Sequence, residues 1–174
     1  MSESVQRIQI RQPSLHDLHG LLACRNTGLS PDSPDLMSED AATRLLEEQA
    51  LKTDADPGWR MFTICRDGHD DMIGEVGGFV HAGDTPVIDI GWWLAAPFRG
   101  NGYATEAARR LLVWCFDVRH ASEVTAHCLA KNTASRKIAE RLGMRESGRK
   151  PVGTDGAQEV AFVLSRDAWG RRNG

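Results

Sequence analysis

Two glycines separated by one residue mark the segment of this chain whose residue types and spacing are best suited to chemistry. Residues 97–107 read PFRGNGYATEA. Because Gly100 and Gly102 lack a Cβ atom, the backbone can turn tightly and bring its N–H groups close to an anion. A helix that begins after the turn adds unpaired N–H groups and the positive end of its dipole, and Arg99 adds a full positive charge. Such a turn is suited to a diphosphate.

Other glycine motifs fit this segment poorly. A P-loop requires Gly-Lys-Ser/Thr, which is absent, and a dinucleotide-binding fingerprint places Gly or Ala where this chain has Thr105. The alternative is a plain strand-to-helix turn that binds nothing. The two glycines taken alone do not decide between this turn and an anion site.

The elements that must position the loop are a strand before it and a helix after it. The pattern predicts a strand over 86–94 and a helix over 103–117, in which Ala104, Ala108 and Leu111 recur at helical spacing. A further strand is predicted over 123–129. A strand, helix and strand in this order imply one parallel pair in an otherwise antiparallel sheet.

The rest of the chain completes a mixed α/β pattern. Before the loop, a short strand at 8–10 precedes two helices that Ser14 and Ser38 can cap, and two strands follow over 61–65 and 72–80. After 123–129 come a helix over 132–142 that ends at Gly143, two strands around 153–156, and a short helix from Ser165. The predicted order is β-α-α-β-β-β-α-β-α-β-β, an α/β fold of the α+β type. Its sheet is mixed and mostly antiparallel, with about seven strands and helices on both faces.

The composition is that of an ordinary globular chain. Of the 174 residues, 41% are hydrophobic and 26% are charged, and the formal net charge is −3. A negative average charge disfavours general binding to nucleic acid or to an anionic membrane. No segment approaches the roughly 20 apolar residues of a membrane span, and residues 1–10 lack the apolar stretch of a signal peptide. We expect a single domain over residues 1–174.

The cysteines and histidines do not predict a metal site. The four cysteines show no metal-ligand spacing, so they are interpreted as reduced thiols of a cytoplasmic protein. The histidines at 69, 81, 120 and 127 show no metal spacing either, and a lone histidine is more often structural or exposed than catalytic.

The loop and its flanks resemble a known family. Arg99, Gly102 and Ala104 form an Arg-x-x-Gly-x-Ala pattern similar to the cofactor motif of the GCN5-related N-acetyltransferase superfamily. The flanking sequences DIGWWL at 89–94 and NTAS at 132–135 resemble the branch that acetylates the N-termini of ribosomal proteins. The motif match covers roughly residues 86–144, and the order of elements agrees over nearly the whole chain.

The resemblance implies an acetyl-CoA-dependent N-acetyltransferase without a metal, which can assemble as a homodimer. Acetyl-CoA would place its pyrophosphate on the loop and its pantetheine arm in a cleft where the strand ending at 94 separates from the strand at 123–129. Asn132 would contact the pantetheine arm, and Ser135 would face the thioester sulfur. The residues implied to bind the donor are Trp93, Leu94, Arg99, Gly100, Asn101, Gly102, Tyr103, Ala104, Thr105 and Asn132.

An amine attacks a thioester only when it is unprotonated, so a base is expected at neutral pH. The candidates are Asp89 and Glu75, because each lies on a predicted strand close in the chain to the loop. For both, a solvent-facing or hydrogen-bonded strand carboxylate without catalytic function is the alternative. Asp89 also stands where the branch often has Glu, which leaves the identity of the base open.

The departing thiolate needs a proton or a hydrogen bond, and the tetrahedral oxyanion needs a fixed donor. A backbone N–H near Trp93 or Leu94 can serve the oxyanion. Many relatives use a tyrosine for the thiolate, but the sole tyrosine, Tyr103, lies inside the loop motif. Ser135 is therefore the candidate, although it can equally be a first-turn residue beside an N-cap at Asn132.

Three function classes follow from these features. The first is N-acetyl transfer to a protein N-terminus or a small-molecule amine, and the second is a sensor that binds acyl-CoA without turnover. A dinucleotide-dependent oxidoreductase rests on the two glycines alone. The acceptor is expected to be selected by the two early helices and by the loops at 28–38 and 151–157, which carry no readable motif.

Overall fold

The computed structural model describes residues 7–29, 33–83, 86–154 and 156–173. Seven strands lie within these residues: β1 Ile8–Arg11, β2 Gly58–Arg66, β3 Met72–Val80, β4 Val87–Leu94, β5 Glu123–Leu129, β6 Arg145–Val152 and β7 Ala157–Ser165. The described α-helices are α1 Leu18–Arg25, α2 Glu39–Leu51, α3 Tyr103–Val113, α4 Thr133–Leu142 and α5 Arg166–Asn173. The strands form one sheet in the order β1-β2-β3-β4-β5-β7-β6.

The predicted fold class and the predicted parallel pair are both confirmed. β4 and β5 run parallel, with Cα partners from Val87 and Glu123 to Ile90 and Ala126. The pairs β1 with β2, β5 with β7 and β6 with β7 are antiparallel. The connection from β4 to β5 passes through α3, as a parallel pair requires.

Helix ends follow the predicted capping residues. The Ser38 hydroxyl accepts a hydrogen bond from the Ala41 N–H at 3.2 Å at the start of α2. Gly143 ends α4 with a φ of 85°, in the left-handed region where glycine is favoured. These local signals explain why the predicted and observed bounds agree closely there.

Two helices differ from the predicted form. The helix after Ser14 begins with a 3₁₀ turn over Leu15–Asp17 before α1. The helix predicted over 103–117 is regular only to Val113 and continues as a π-helical turn over Trp114–Val118, where the Arg119 N–H donates to the Trp114 carbonyl at 2.9 Å. Periodicity over a long window does not resolve a change of hydrogen-bond spacing within one turn.

The described chain divides into two compact units, each with its own buried apolar side chains. The first unit contains Met1–Thr53, Arg60–Gly77 and Trp92–Ala107, and the second contains Asp54–Trp59, Gly78–Gly91 and Ala108–Gly174. Fully buried residues of the first unit include Ile8, Leu21, Leu46, Met61 and Ile64. Those of the second include Ile88, Leu111, Leu112, Phe116 and Val124. The single domain over 1–174 stays a prediction.

Some predicted features fall on residues outside the described part. These are residues 1–6 of the segment that lacks a signal-peptide pattern, residues 30–32 of the loop at 28–38, and residue 155 of the loop at 151–157. Within the described residues, every helix is too short or too polar to cross a membrane.

Candidate active site

The glycine loop, Arg99–Thr105, follows β4 and a short 3₁₀ turn at Ala96–Phe98, and its last three residues begin α3. Gly100 and Gly102 have φ angles of 78° and 82°, which residues with a side chain rarely adopt. The Glu106 N–H donates to the Gly102 carbonyl at 3.1 Å, so Gly102 is the residue that caps α3. The next three N–H groups then have no acceptor within the helix. The turn is as tight as the sequence predicts, and it presents N–H donors at a helix start.

Arg7 supports the loop, and the sequence did not single it out. Its Nη1 donates to the Asn101 carbonyl at 2.9 Å, and its Nε donates to Oε2 of Glu106 at 3.2 Å. Its guanidinium also lies over the Tyr103 ring, 5.4 Å from the ring centroid. A Cβ atom at Gly102 would lie 3.2 Å from Nη2 of Arg7, so a larger residue would crowd this contact. No sequence pattern pairs Arg7 with a segment more than 90 residues away.

Arg99 is exposed and is also held within the turn. Its Nε donates to the Leu94 carbonyl at 2.9 Å, and this hydrogen bond links the loop to the last residue of β4. The hydrogen bond orients the guanidinium at the position where the sequence predicts an anion. Arg99 therefore contributes both to the shape of the loop and to its charge.

The end of β4 approaches β3 unusually closely. A Cβ atom at Gly74 would lie 2.4 Å from the Trp93 carbonyl oxygen, so only glycine fits at that point. The Trp93 side chain is 38% exposed, and the Arg25 guanidinium lies 4.4 Å from its ring centroid. Leu94 is buried, with 8% exposure. Trp93 and Leu94, two of the residues implied to bind the donor, thus differ, since one side chain faces solvent and the other lies in the core.

Glu75 lies in the middle of β3 and is fully buried, with an exposed fraction of 0%. Arg25 Nε lies 2.5 Å from its Oε1, but the contact lacks hydrogen-bond alignment. We regard it as an ion pair, because the two charges are close whatever their alignment. Burial raises the pKa of Glu75, while Arg25 opposes this effect in part. Glu75 is therefore a buried carboxylate of the first unit that solvent does not reach.

Asp89 lies on β4 and forms what we call the Asp89 cluster with His81 and Thr125. Nε2 of His81 lies 2.8 Å from Oδ2 of Asp89. The Thr125 hydroxyl donates to Oδ1 from the neighbouring strand, where Thr125 is the parallel partner of Asp89. The Asp89 side chain is 38% exposed, so solvent reaches it. This carboxylate is an open, hydrogen-bonded group of the second unit.

Asn132 and Ser135 lie at the start of α4. The Asn132 side-chain oxygen accepts a hydrogen bond from the Ser135 N–H at 3.1 Å, which makes Asn132 the N-cap. This is the capping arrangement that the sequence leaves open beside the functional one. Asn132 is exposed and Ser135 is half-buried. The cap uses the side-chain oxygen of Asn132 and leaves its amide group and the Ser135 hydroxyl to the surface.

A second set of charged side chains lies beside the Asp89 cluster in the second unit. His127 Nε2 is 3.9 Å from Oδ1 of Asp89, and its Nδ1 is 3.5 Å from Oε1 of Glu159. Lys150 Nζ lies 2.9 Å from the same Glu159 oxygen. These three side chains border a cavity of about 190 Å³, which is also lined by Gly148, Arg149 and Ala161.

The predicted site residues are thus divided between the two units. The first unit contains Glu75, Trp93, Leu94 and the glycine loop; the second contains Asp89, Asn132 and Ser135. Within the described residues, no group of three or more His, Cys, Asp or Glu side chains is arranged to hold a metal ion.

Comparison with known proteins gives one family. A family model described as acetyltransferase (GNAT) domain matches residues 7–145. In Bacillus subtilis (strain 168), the uncharacterized N-acetyltransferase YnaD is 27% identical to this chain over 122 residues, which cover 68% of this chain and 71% of that protein.

Solved structures share the fold. An acetyltransferase (GNAT family) from Bacillus anthracis superposes with a TM-score of 0.77 and 20% identity, covering 96% of this chain and 99% of its own. RimL, a ribosomal L7/L12 alpha-N-protein acetyltransferase solved in complex with coenzyme A, superposes with a TM-score of 0.77 and 18% identity, covering 95% of this chain and 98% of its own.

Proposed function

The chain belongs to the acetyltransferase (GNAT) family and is an acyltransferase, and on that premise we propose that it transfers an acetyl group from acetyl-CoA to a primary amine. The observation that carries the proposal is the glycine loop. Its two left-handed glycines, the capping position of Gly102 and the charge of Arg99 suit a diphosphate, which is the most highly charged part of coenzyme A apart from its ribose phosphate. The CoA-bound relative of the same fold supports the choice of donor.

The donor-binding residues follow from this proposal. The N–H groups of the glycine loop would hold the pyrophosphate, and backbone at Trp93 and Leu94 would pair with the pantetheine arm. Asn132 keeps its amide group for the same arm while its oxygen caps α4. Ser135, with its hydroxyl at the half-buried start of α4, would donate to the departing thiolate.

The amine must lose a proton before it attacks the thioester carbonyl carbon. Glu75 forms an ion pair with Arg25 and has no exposed surface, whereas solvent reaches Asp89. An amine that diffuses to the site therefore reaches Asp89 more readily than Glu75. We therefore assign proton removal to the Asp89 cluster rather than to Glu75.

Thermal stabilisation by acetyl-CoA tests donor binding. A ligand at one hundred times its Kd stabilises the folded state by about 2.7 kcal/mol, which corresponds to a Tm increase of roughly 5–10 °C for a chain of this size. The Gly102→Trp variant should lose this increase, because the new side chain crowds Arg7 and fills the loop. Arg171→Glu, a charge reversal at an exposed residue of α5, should retain it. The absence of stabilisation in the wild-type protein at saturating acetyl-CoA contradicts the proposal.

Free CoA thiol released in the presence of an amine panel tests turnover. The panel contains peptides with free N-termini, polyamines and amino sugars, and mass spectrometry identifies the acetylated product. Cys24, Cys65 and Cys115 are buried, and burial raises the pKa of Cys24 to about 11, so their background reaction is slow. Binding without thiol release across the panel would instead indicate a sensor. Light scattering of the same samples tests the expected homodimer.

A further inference from the structure

Each oxygen of the Asp89 carboxylate already has one hydrogen-bond partner in the cluster. Thr125 donates to Oδ1, and the His81 ring lies within hydrogen-bond distance of Oδ2. Each oxygen keeps a second lone pair, so the carboxylate can hold both partners in place while solvent still reaches it. The imidazole of His81 adds a further proton-accepting atom, its second ring nitrogen, which is not the atom that contacts Asp89.

The ring of His81 has a defined tautomer in this arrangement. An ionised carboxylate can only accept hydrogen bonds, so Nε2 of His81 carries the hydrogen that points to Asp89. In the neutral imidazole, Nδ1 is then unprotonated and can accept a proton. Phe79 fixes the ring from the side, with the two ring centroids 5.0 Å apart in an edge-to-face contact at 62°. The His81 side chain is 50% exposed, so this second nitrogen belongs to a ring that solvent reaches.

We propose that His81 is the proton acceptor of acetyl transfer and that Asp89 is the residue that positions it. The proposal rests on the proposed function. The acceptor ammonium gives one proton to Nδ1 of His81, and the nitrogen lone pair then forms the C–N bond with the thioester carbonyl carbon. The C–S bond breaks with its electron pair on sulfur, and the second amine proton passes to the thiolate. The N-acetylated acceptor and CoA thiol leave, and the imidazolium returns its proton to solvent.

His127 provides an internal control for this assignment. It lies near the same carboxylate but at 3.9 Å, and its other nitrogen faces Glu159, which Lys150 contacts in turn. Among the described residues, the charged and titratable groups that contact Asp89 directly are His81, which follows β3, and His127 from β5. Glu159 from β7 and Lys150 from β6 are linked to it through His127. The hydrogen bond from Lys150 lowers the pKa of Glu159 below its ordinary value.

The pH dependence of kcat tests the proposal, with acetyl-CoA and an acceptor from the amine panel both saturating. For the wild-type enzyme, kcat should fall as the solution becomes more acidic, because a protonated imidazole can no longer accept a proton. His81→Gln should lower kcat about 100-fold at pH 7.5 and leave only the pH dependence of the acceptor amine itself. His127→Gln should keep both kcat and its pH profile. A His81→Gln enzyme with wild-type kcat and profile overturns the proposal, as does loss of the profile in His127→Gln alone.

The tautomer of His81, measured by NMR, tests the role of this histidine independently of whether the protein transfers acetyl groups. Long-range ¹H–¹⁵N spectra report the tautomer of each histidine, and His81 should show a proton on Nε2 in the wild-type protein at pH 8. Asp89→Asn should change the proportion of the two tautomers for His81 and lower kcat at least tenfold. A His81 ring that carries its proton on Nδ1 in the wild-type protein overturns the assignment even if acetyl transfer occurs. Absence of turnover with the expected tautomer instead contradicts the proposed function.

Discussion

Glu75 on β3 and Asp89 on β4 are both strand carboxylates close to the glycine loop in the chain, yet their surroundings are opposite. Glu75 is fully buried and meets a single arginine, while Asp89 is partly exposed and meets a hydroxyl and an imidazole. The first arrangement neutralises a charge, and the second orients a group that can exchange a proton. The role of a strand carboxylate therefore cannot be assigned until its partner and its access to solvent are known.

Removing Arg25 should have the largest effect on stability. Arg25→Ala leaves Glu75 as a buried carboxylate without its cation, and breaking such a pair costs about 3–5 kcal/mol. Urea unfolding at pH 7 measures the loss. Arg149→Ala removes an arginine from the exposed pair with Glu146 and should cause no resolvable change. A loss below about 1 kcal/mol for Arg25→Ala would show that Glu75 depends no more on a charged partner than a partly exposed carboxylate such as Asp89 does.

Glu75→Gln should change how stability depends on pH. Burial raises the pKa of Glu75, so the folded protein holds a proton there at pH values at which the unfolded chain has lost it. The wild-type protein therefore loses stability relative to Glu75→Gln as the pH rises above about 4.3, the ordinary glutamate value. The effect should be smaller than that of Arg25→Ala, because Arg25 opposes part of the burial. Parallel curves for the two proteins from pH 4.5 to 8 would contradict this prediction.

Asp89→Asn should have little effect on the fold while reducing turnover. The side chain is partly exposed, and an asparagine oxygen can still accept from Thr125, so the stability loss should stay below about 1 kcal/mol. Thermal and urea unfolding of the variant provide the measurement. A loss of about 3 kcal/mol or more would assign Asp89 to the fold and remove the contrast with Glu75.

Lys150→Ala should produce only a small change in stability. Lys150 is 66% exposed and pairs with Glu159 at 2.9 Å, so the pair contributes roughly 0–1 kcal/mol. The difference from wild type should disappear in 1 M salt, where exposed charges are screened. A loss that persists at high salt would show that the cavity beside His127 depends on this lysine for its packing.

The elements were predictable because their signals are local. Ser38, Asn132 and Gly143 mark helix ends through contacts within a few residues, and the strand, helix and strand order around the glycine loop implies the parallel pair. The π-helical turn at Trp114–Val118 was not predictable, since it changes hydrogen-bond spacing without changing the apolar pattern.

The partners within the candidate site were less predictable than its backbone. Arg25 lies 50 positions before Glu75 in the sequence, and Arg7 lies 94 positions before Asn101. Neither pair belongs to a motif. His81 gave no signal as a lone histidine, because its relation to Asp89 depends on the register between the end of β3 and β4. Chemistry shared between strands is visible only when the sheet is assembled.

The contacts of Arg7 affect how the protein should be prepared for study. A tag fused to residue 1 of this sequence is separated by residues 1–6 from an arginine that touches Asn101, Tyr103 and Glu106. Trimming that end to aid crystallisation would remove these contacts altogether. Either change acts on the loop proposed to bind acetyl-CoA, so protein tagged at the carboxyl end is the appropriate material for measuring donor affinity.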